Sequence, residues 1–329
     1  MKKIFLLFVA LALTLSLCGC NKRNAPLSST QVMMTTVVTV TLYDGEQEDL
    51  DIAMRLIKEY EKLFDRNNKD SDVYKLNNNL ATTVSGDTAI LLEKALSISE
   101  KSNGAFDISI LPLVELWNIT KATEPPKPED IEAALKSVDF NNISINNNEV
   151  QLKNNCKIDL GGIAKGYIAD KVKEHLKNAG VKNAVINLGG NIVVMGDNNG
   201  QGYSVGIQSP FKQTGELSAR ITISDMTAVT SGIYERYFEY ENEIYHHILD
   251  SKTGHPVNNE LASVTIIAKE SAVADGLSTA CLVLGIEQSK QLLKQYDAEA
   301  VFLKKDGSLS TTDNLIIDNS DNIPEIKRK

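Results

Sequence analysis

The run Lys157-Ile158-Asp159-Leu160-Gly161-Gly162-Ile163-Ala164-Lys165-Gly166-Tyr167 decides how this chain is read. A strand ends, two glycines turn the chain and a helix begins over residues 163–178, closed by Gly180 as a fitting C′ glycine. Backbone amides at a helix start point outward and favour anions. Glycines let a backbone come close to a ligand. The run lacks the Walker spacing and also lacks Gly-x-Gly-x-x-Gly, so it reads as a phosphate or metal site of another type, or as a plain strand-to-helix turn.

Around it, strands and helices alternate without a low-complexity break. Residues 37–43 are β-branched and alternating, which predicts a strand. Ile52, Leu56, Tyr60 and Leu63 lie at helical spacing within residues 49–64. A second helix is expected over 91–99, ending near Asn103-Gly104. Pro125-Pro126-Lys127-Pro128 reads as a loop into a helix opened by Glu129 and Asp130. Asn-rich turns near 141 and 146–148 separate short strands. Further strands are expected at 184–188, 203–207, 217–223 and 264–268, and a last helix pair over about 270–296. The fold class is α+β with substantial antiparallel character.

Three more segments carry chemistry. Asn187-Leu188-Gly189-Gly190-Asn191 repeats the strand-to-glycine turn, a weak signal alone. His246, His247 and His255 cluster without the i, i+4 spacing of a zinc helix. On an alternating strand His246 and His247 face opposite sides, so at most one serves a given site, and His255 before Pro256 reads as a turn residue. Asp275 and Thr279 are four apart on one helix face. A carboxylate beside a hydroxyl is a hard oxygen pair that suits Mg²⁺, or else two polar residues on a solvated helix side.

The N-terminus reads as an address. Lys2 and Lys3 precede an uncharged apolar run from residue 4 to 17 and then Cys18-Gly19-Cys20. That order predicts a secretory leader over 1–19, too short for a comfortable membrane span. It looks like a bacterial lipobox, with Cys20 as the lipidated first residue; the alternative is an ordinary secreted protein. Residues 20–30 are expected to form a polar tether and 31–329 a single domain, anchored to a membrane and facing away from the cytoplasm. The formal net charge is -9. Loss of Lys2 and Lys3 makes it more negative still, which argues against a general nucleic-acid binder. Cys156 and Cys281 lie in apolar sequence and are expected as buried thiols, with a disulfide as the alternative.

Taken in order, these segments resemble the ApbE-type FAD:protein FMN transferases. The resemblance runs through Met34-Thr35-Thr36-Val37-Val38, Ser71-Asp72-Val73-Tyr74-Lys75-Leu76-Asn77 and Gly104-Ala105-Phe106-Asp107-Ile108-Ser109. It continues through Asp159 to Gly166, Asn187 to Gly190, Ser231-Gly232-x-Tyr234-Glu235-Arg236, His247-Ile248-Leu249-Asp250, Thr253-Gly254-x-Pro256 and Ala274 to Ala280. It covers about residues 32–305 and implies an ApbE-type fold related to the T-fold, with mixed and antiparallel sheets and packed helices.

The resemblance also implies a reaction. FAD would be the substrate, lying across Met34, Ala105, Phe106, Asp107, Asp159 and Lys165 with Leu249 nearby. Mg²⁺ would be held by Asp275, Thr279 and backbone oxygen from the turn between Gly162 and Ala164. The pyrophosphate would break, AMP would leave, and FMN would remain as a phosphodiester on a Ser or Thr of an acceptor, expected to be a membrane or exported redox protein. A histidine poised near neutral pH is a natural base, which points to His247, with Asp250 orienting the loop or the metal shell. Two departures stand out. Ser251 replaces a proline common in the family and should loosen its turn, and Asn67 or Asn68 stands where relatives carry an aromatic. A metal-dependent FAD pyrophosphatase and a non-catalytic flavin-binding lipoprotein are the competing readings.

Overall fold

The computed structural model describes residues 25–211 and 215–329. The leader and Cys20 lie outside the described residues. Leu27–Met33 (β1) and Thr36–Leu42 (β2) form an antiparallel hairpin. β1 starts inside the stretch expected to be tether, which corrects that boundary. Its polar residues have sheet work to do: the hydroxyls of Ser28 and Thr41, and of Thr30 and Thr39, pair across the hairpin at 3.0 Å.

Gln47–Phe64 (α1) opens with a capping box between Glu46 and Asp49. Its buried stripe is Leu50, Ala53, Met54, Ile57 and Phe64. Ile52, Leu56, Tyr60 and Leu63 form the half-buried shoulder of that stripe. Ser71 and Ser85 cap Asp72–Asn77 (α2) and Gly86–Lys101 (α3) through their side chains. Leu111–Trp117 (α4) follows, a helix not expected from the sequence. Pro128–Leu135 (α5) takes Pro128 into its first turn, where the missing N–H costs nothing. Ile143–Asn146 (β3) and Glu149–Leu152 (β4) make a small hairpin.

The second half supplies Ala164–Asn178 (α6), Ala184–Leu188 (β5), Asn191–Met195 (β6), Tyr203–Gln208 (β7), Leu217–Ile223 (β8) and Thr227–Gly232 (β9). Then come Tyr237–Tyr240 (β10), Glu243–His246 (β11), Leu261–Ala268 (β12), Ser271–Leu284 (α7) and Ile286–Lys294 (α8). Glu299–Lys304 (β13), Leu309–Thr311 (β14), Leu315–Asp318 (β15) and Glu325–Arg328 (β16) close the chain.

Eight strands form the main sheet in the order β1-β2-β5-β6-β9-β12-β13-β14. Every neighbouring pair in it is antiparallel. A four-stranded sheet, β15-β16-β8-β7, covers part of one face. Strand residues alternate between two cores: Val193, Val229, Val264, Ile266 and Phe302 meet the helices, while Val194, Ala228, Ile267 and Val301 meet the smaller sheet. This is why β12 is buried along its whole length. Each fully buried aliphatic or Phe side chain contributes roughly 1.5–3 kcal/mol.

The helix layer positions the site. Asp170 on α6 accepts the backbone N–H groups of Ser271 and Ala272 at the start of α7, both at 2.8 Å. A Cβ on Gly166 would collide with the Ser271 carbonyl, so glycine lets the two helices cross closely. Cys156 and Cys281 are separate buried thiols, and burial pushes both up to about 12.

Candidate active site

The glycine turn, the middle of α7, the end of α1 with the loop after it, and the residues flanking the β10–β11 hairpin enclose a cleft of about 480 Å³. That volume suits a small-molecule ligand. Met34, Ala105, Phe106, Asp107, Asp159, Gly162, Ala164, Lys165, His247, Leu249, Asp275 and Thr279 all line it. They come from five separate stretches of the chain.

Asp275 anchors the centre. It is buried, and its Oδ2 accepts the Gly166 backbone N–H at 2.9 Å. One carboxylate thereby fixes the first turn of α6 against α7. Thr279 lies one turn on, and its hydroxyl is 3.4 Å from the Ser231 hydroxyl. A Cβ on Gly162 would sit 3.6 Å from the Thr279 hydroxyl and 3.1 Å from the Phe106 ring, so the glycine turn rests on both. No cluster of three His, Cys, Asp or Glu suited to a metal occurs among the described residues. The local donors are one carboxylate, one hydroxyl and backbone oxygen, a hard and sparse set.

The Asp159 carboxylate has both oxygens engaged. One pairs with the Arg66 guanidinium across the cleft, and the other accepts the Gly161 N–H at 2.8 Å. Asn77 fixes the preceding residue from α2, donating to the Ile158 carbonyl at 2.9 Å and accepting its N–H at 2.7 Å. Asp107 is buried among its own loop: Ser109 donates from its N–H at 2.8 Å and its hydroxyl at 2.6 Å, and Phe140 from its N–H at 3.2 Å. Burial still pushes its carboxyl up.

The two adjacent histidines point in opposite directions. His246 Nε2 is 2.9 Å from the Val257 carbonyl, and its Nδ1 accepts the Ile248 N–H at 3.3 Å. His247 turns into the cleft, its Nδ1 3.3 Å from the Arg236 carbonyl oxygen. A carbonyl only accepts, so Nδ1 carries the proton and Nε2 keeps its lone pair. The expectation of a histidine near neutral pH is corrected: burial, then the Arg236 guanidinium, push His247 down to about 3. Glu235 lines the same cleft. Its place among surrounding protein atoms pushes its carboxyl up although part of its surface is open to the cleft.

Asp250 does not line the cleft. Its Oδ1 accepts the Lys252 N–H at 2.8 Å, and its backbone closes the turn to Gly254 and His255. Its neighbour Ser251 overturns the expected loosening: the hydroxyl donates to the Gly104 carbonyl at 2.7 Å and ties this turn to the Ala105–Asp107 loop. His255 packs edge-on to Trp117, as a turn residue outside the cleft. Glu61, Arg66, Ser231, Glu235 and Arg236 line the cleft without having been assigned roles from sequence. Glu235 and Arg236 lay in a quoted motif and could have been found; Glu61 and Arg66 carried no local signal.

Comparison with known proteins shows the family and the fold. The ApbE family profile matches residues 34–302. A FAD:protein FMN transferase of Klebsiella pneumoniae is 34% identical over 86% of this chain and 90% of its own length. One from Treponema pallidum is 33% identical over 88% and 87%. The crystal structure of the ApbE protein of Thermotoga maritima superposes with a TM-score of 0.80 at 29% identity, covering 88% of this chain and 97% of that one. The chain belongs to the ApbE family.

Proposed function

We propose that this protein transfers FMN from FAD to a Ser or Thr hydroxyl of another protein and releases AMP, with Mg²⁺ bound at Asp275 and Thr279. Its relatives' activity supports the reaction. The observation that carries the mechanism is the His247 imidazole, held through its Nδ1 on the Arg236 carbonyl, in the same cleft as the Asp275–Thr279 pair and Lys165.

His247 Nε2 takes the proton of the acceptor hydroxyl. The hydroxyl oxygen forms a bond to the FMN-side phosphorus, the bridging P–O bond breaks, and AMP leaves with the electron pair. Lys165 offsets negative charge gathered on the diphosphate. The Asp275, Thr279 and Gly162–Ala164 donors would hold a hard divalent cation, which would supply Lewis-acid charge stabilisation. FAD would lie along Met34, Ala105, Phe106, Asp107 and Asp159, with Leu249 nearby. Asp250 holds the turn that follows His247.

The N-terminal sequence supports export and lipidation at Cys20. Seven residue steps separate Cys20 from the start of β1, a reach of at most roughly 25 Å. β1 runs another seven residues to the cleft at Met34, so the site stays within reach of a membrane-bound redox acceptor.

The test is intact-mass measurement of candidate exported acceptor domains after incubation with the full chain, FAD and MgCl₂. A gain of one FMN that EDTA abolishes is expected. FMN and AMP formed without any gain on the acceptors would mark a hydrolase instead.

A further inference from the structure

The β1–β2 hairpin closes with a two-residue loop, Met34-Thr35, between the paired residues Met33 and Thr36. Both loop residues are left-handed, with φ of 51° and 59°. This turn type needs positive φ twice and ordinarily selects Asn or Gly. Neither residue here is suited to it, and β-branched Thr35 is an outlier in that region. Such backbone persists only where the surroundings hold it, and it gathers at ligand sites. Met34 and Thr35 both line the cleft.

One group from outside the hairpin holds the turn. The Met34 N–H donates to Glu61 Oε1 at 2.5 Å, across 27 residues of sequence. Glu61 sits in the last turn of α1 and itself lines the cleft. A carboxylate is a poor neighbour for a diphosphate ligand, because like charges repel across a cleft. Its bond to the Met34 amide gives it a reason to be there. On the other side, Thr36 packs so tightly on Gly189 that a Cβ there would collide with it, so the hairpin tip is fixed from both flanks.

We infer that Glu61 is a positioning residue for FAD: it acts as a hydrogen-bond acceptor that locks the left-handed Met34–Thr35 turn in its FAD-binding shape. This rests on the reading that Met34 contacts FAD. The role needs an acceptor oxygen and not a negative charge. It also predicts energetic coupling between Glu61 and the backbone preference of residue 35.

The experiment measures the FAD dissociation constant of the full chain by flavin fluorescence, with thermal unfolding as a check on folding, for M34A, E61A, E61Q, T35G and E61A/T35G. E61A should weaken FAD binding by roughly tenfold or more, the scale of losing a hydrogen bond to a charged group. E61Q should stay within a few-fold of the parent. Relative to T35G alone, adding E61A should cost much less than it does in the parent, since glycine adopts this turn unaided. Equal losses for E61A and E61Q would overturn the acceptor role, and so would an E61A loss undiminished by T35G. M34A with unchanged FAD affinity would remove the underlying contact, whereas an M34A loss with none for E61A would sink the Glu61 inference alone.

Discussion

His247 and Arg236 are joined twice through one atom: the Arg236 carbonyl oxygen accepts the His247 backbone N–H at 3.1 Å and lies 3.3 Å from its Nδ1. The pair extends the β10–β11 register by one residue beyond Tyr237 and His246. The hairpin thus delivers the imidazole to the cleft in one tautomer, with Nε2 outward. Burial holds the ring neutral far below its ordinary range, to about 3. A bound diphosphate adds negative charge beside it and favours the imidazolium, so its pKa should rise on FAD binding. Side-chain nitrogen NMR on labelled protein should show Nδ1–H, no titration of His247 between pH 5 and 8 in the free protein, and an upward shift with FAD. Titration near 6.5 without ligand would contradict this.

Asp275 has two tasks that substitution separates. D275N keeps an acceptor oxygen for the Gly166 N–H and removes the charge. Thermal stability should change little, while magnesium-dependent turnover of FAD should fall by at least about 100-fold, the scale of losing a key electrostatic group. D275A should lose both, since it leaves the buried Gly166 N–H unpaired at about 1–3 kcal/mol. Measured side by side, a stable and fully active D275N would remove the carboxylate from the metal reading.

Asn77 acts at a distance from the chemistry. Its amide satisfies both backbone groups of Ile158, the residue before Asp159. N77A leaves two buried polar groups without partners and should cost about 2–4 kcal/mol in urea unfolding. FAD affinity should fall with it, because the Asp159–Gly162 turn loses its support.

His246 should make the protein acid-sensitive. Burial lowers its pKa to about 4, and the Val257 carbonyl and Ile248 N–H bonds use both ring nitrogens in the neutral form. Between pH 4 and the ordinary 6.5 the unfolded chain binds the extra proton, so stability is full above 6.5 and is lost as pH falls towards 4. The loss from pH 7 to 5 should be about 1–2 kcal/mol. Asp170 opposes it: its pKa is raised to about 6, chiefly by burial, so its contribution is full below 3.8 and lost as pH rises through 6. The difference in pH slope between the parent and H246Q isolates the histidine. Equal slopes would refute its part.

Much of this site could be read from the sequence where the signal was local. The two glycine turns, the α6 and α7 helices and the Asp275–Thr279 spacing are short-range patterns, and they meet in one cleft. β1 was hidden because an edge strand with one solvated face carries Ser28 and Thr30, which read as tether. The C-terminal strands β14 to β16 are three or four residues long, too short to show a period. Arg66–Asp159 and Glu61–Met34 are side-chain meetings across 93 and 27 residues, which no local pattern encodes. The His247 pKa is a property of burial and of Arg236, and Ser251 tightens its turn through a carbonyl 147 residues away.

The most direct test of the account is H247A, assayed for FAD binding by flavin fluorescence and for FMN transfer by acceptor mass, with FAD and magnesium saturating. FAD affinity should stay within a few-fold of the parent, because the ring contributes a lone pair and little contact, while transfer should fall by about 100- to 10,000-fold, the range for losing a general base. Transfer at the parental rate would contradict the mechanism at its centre.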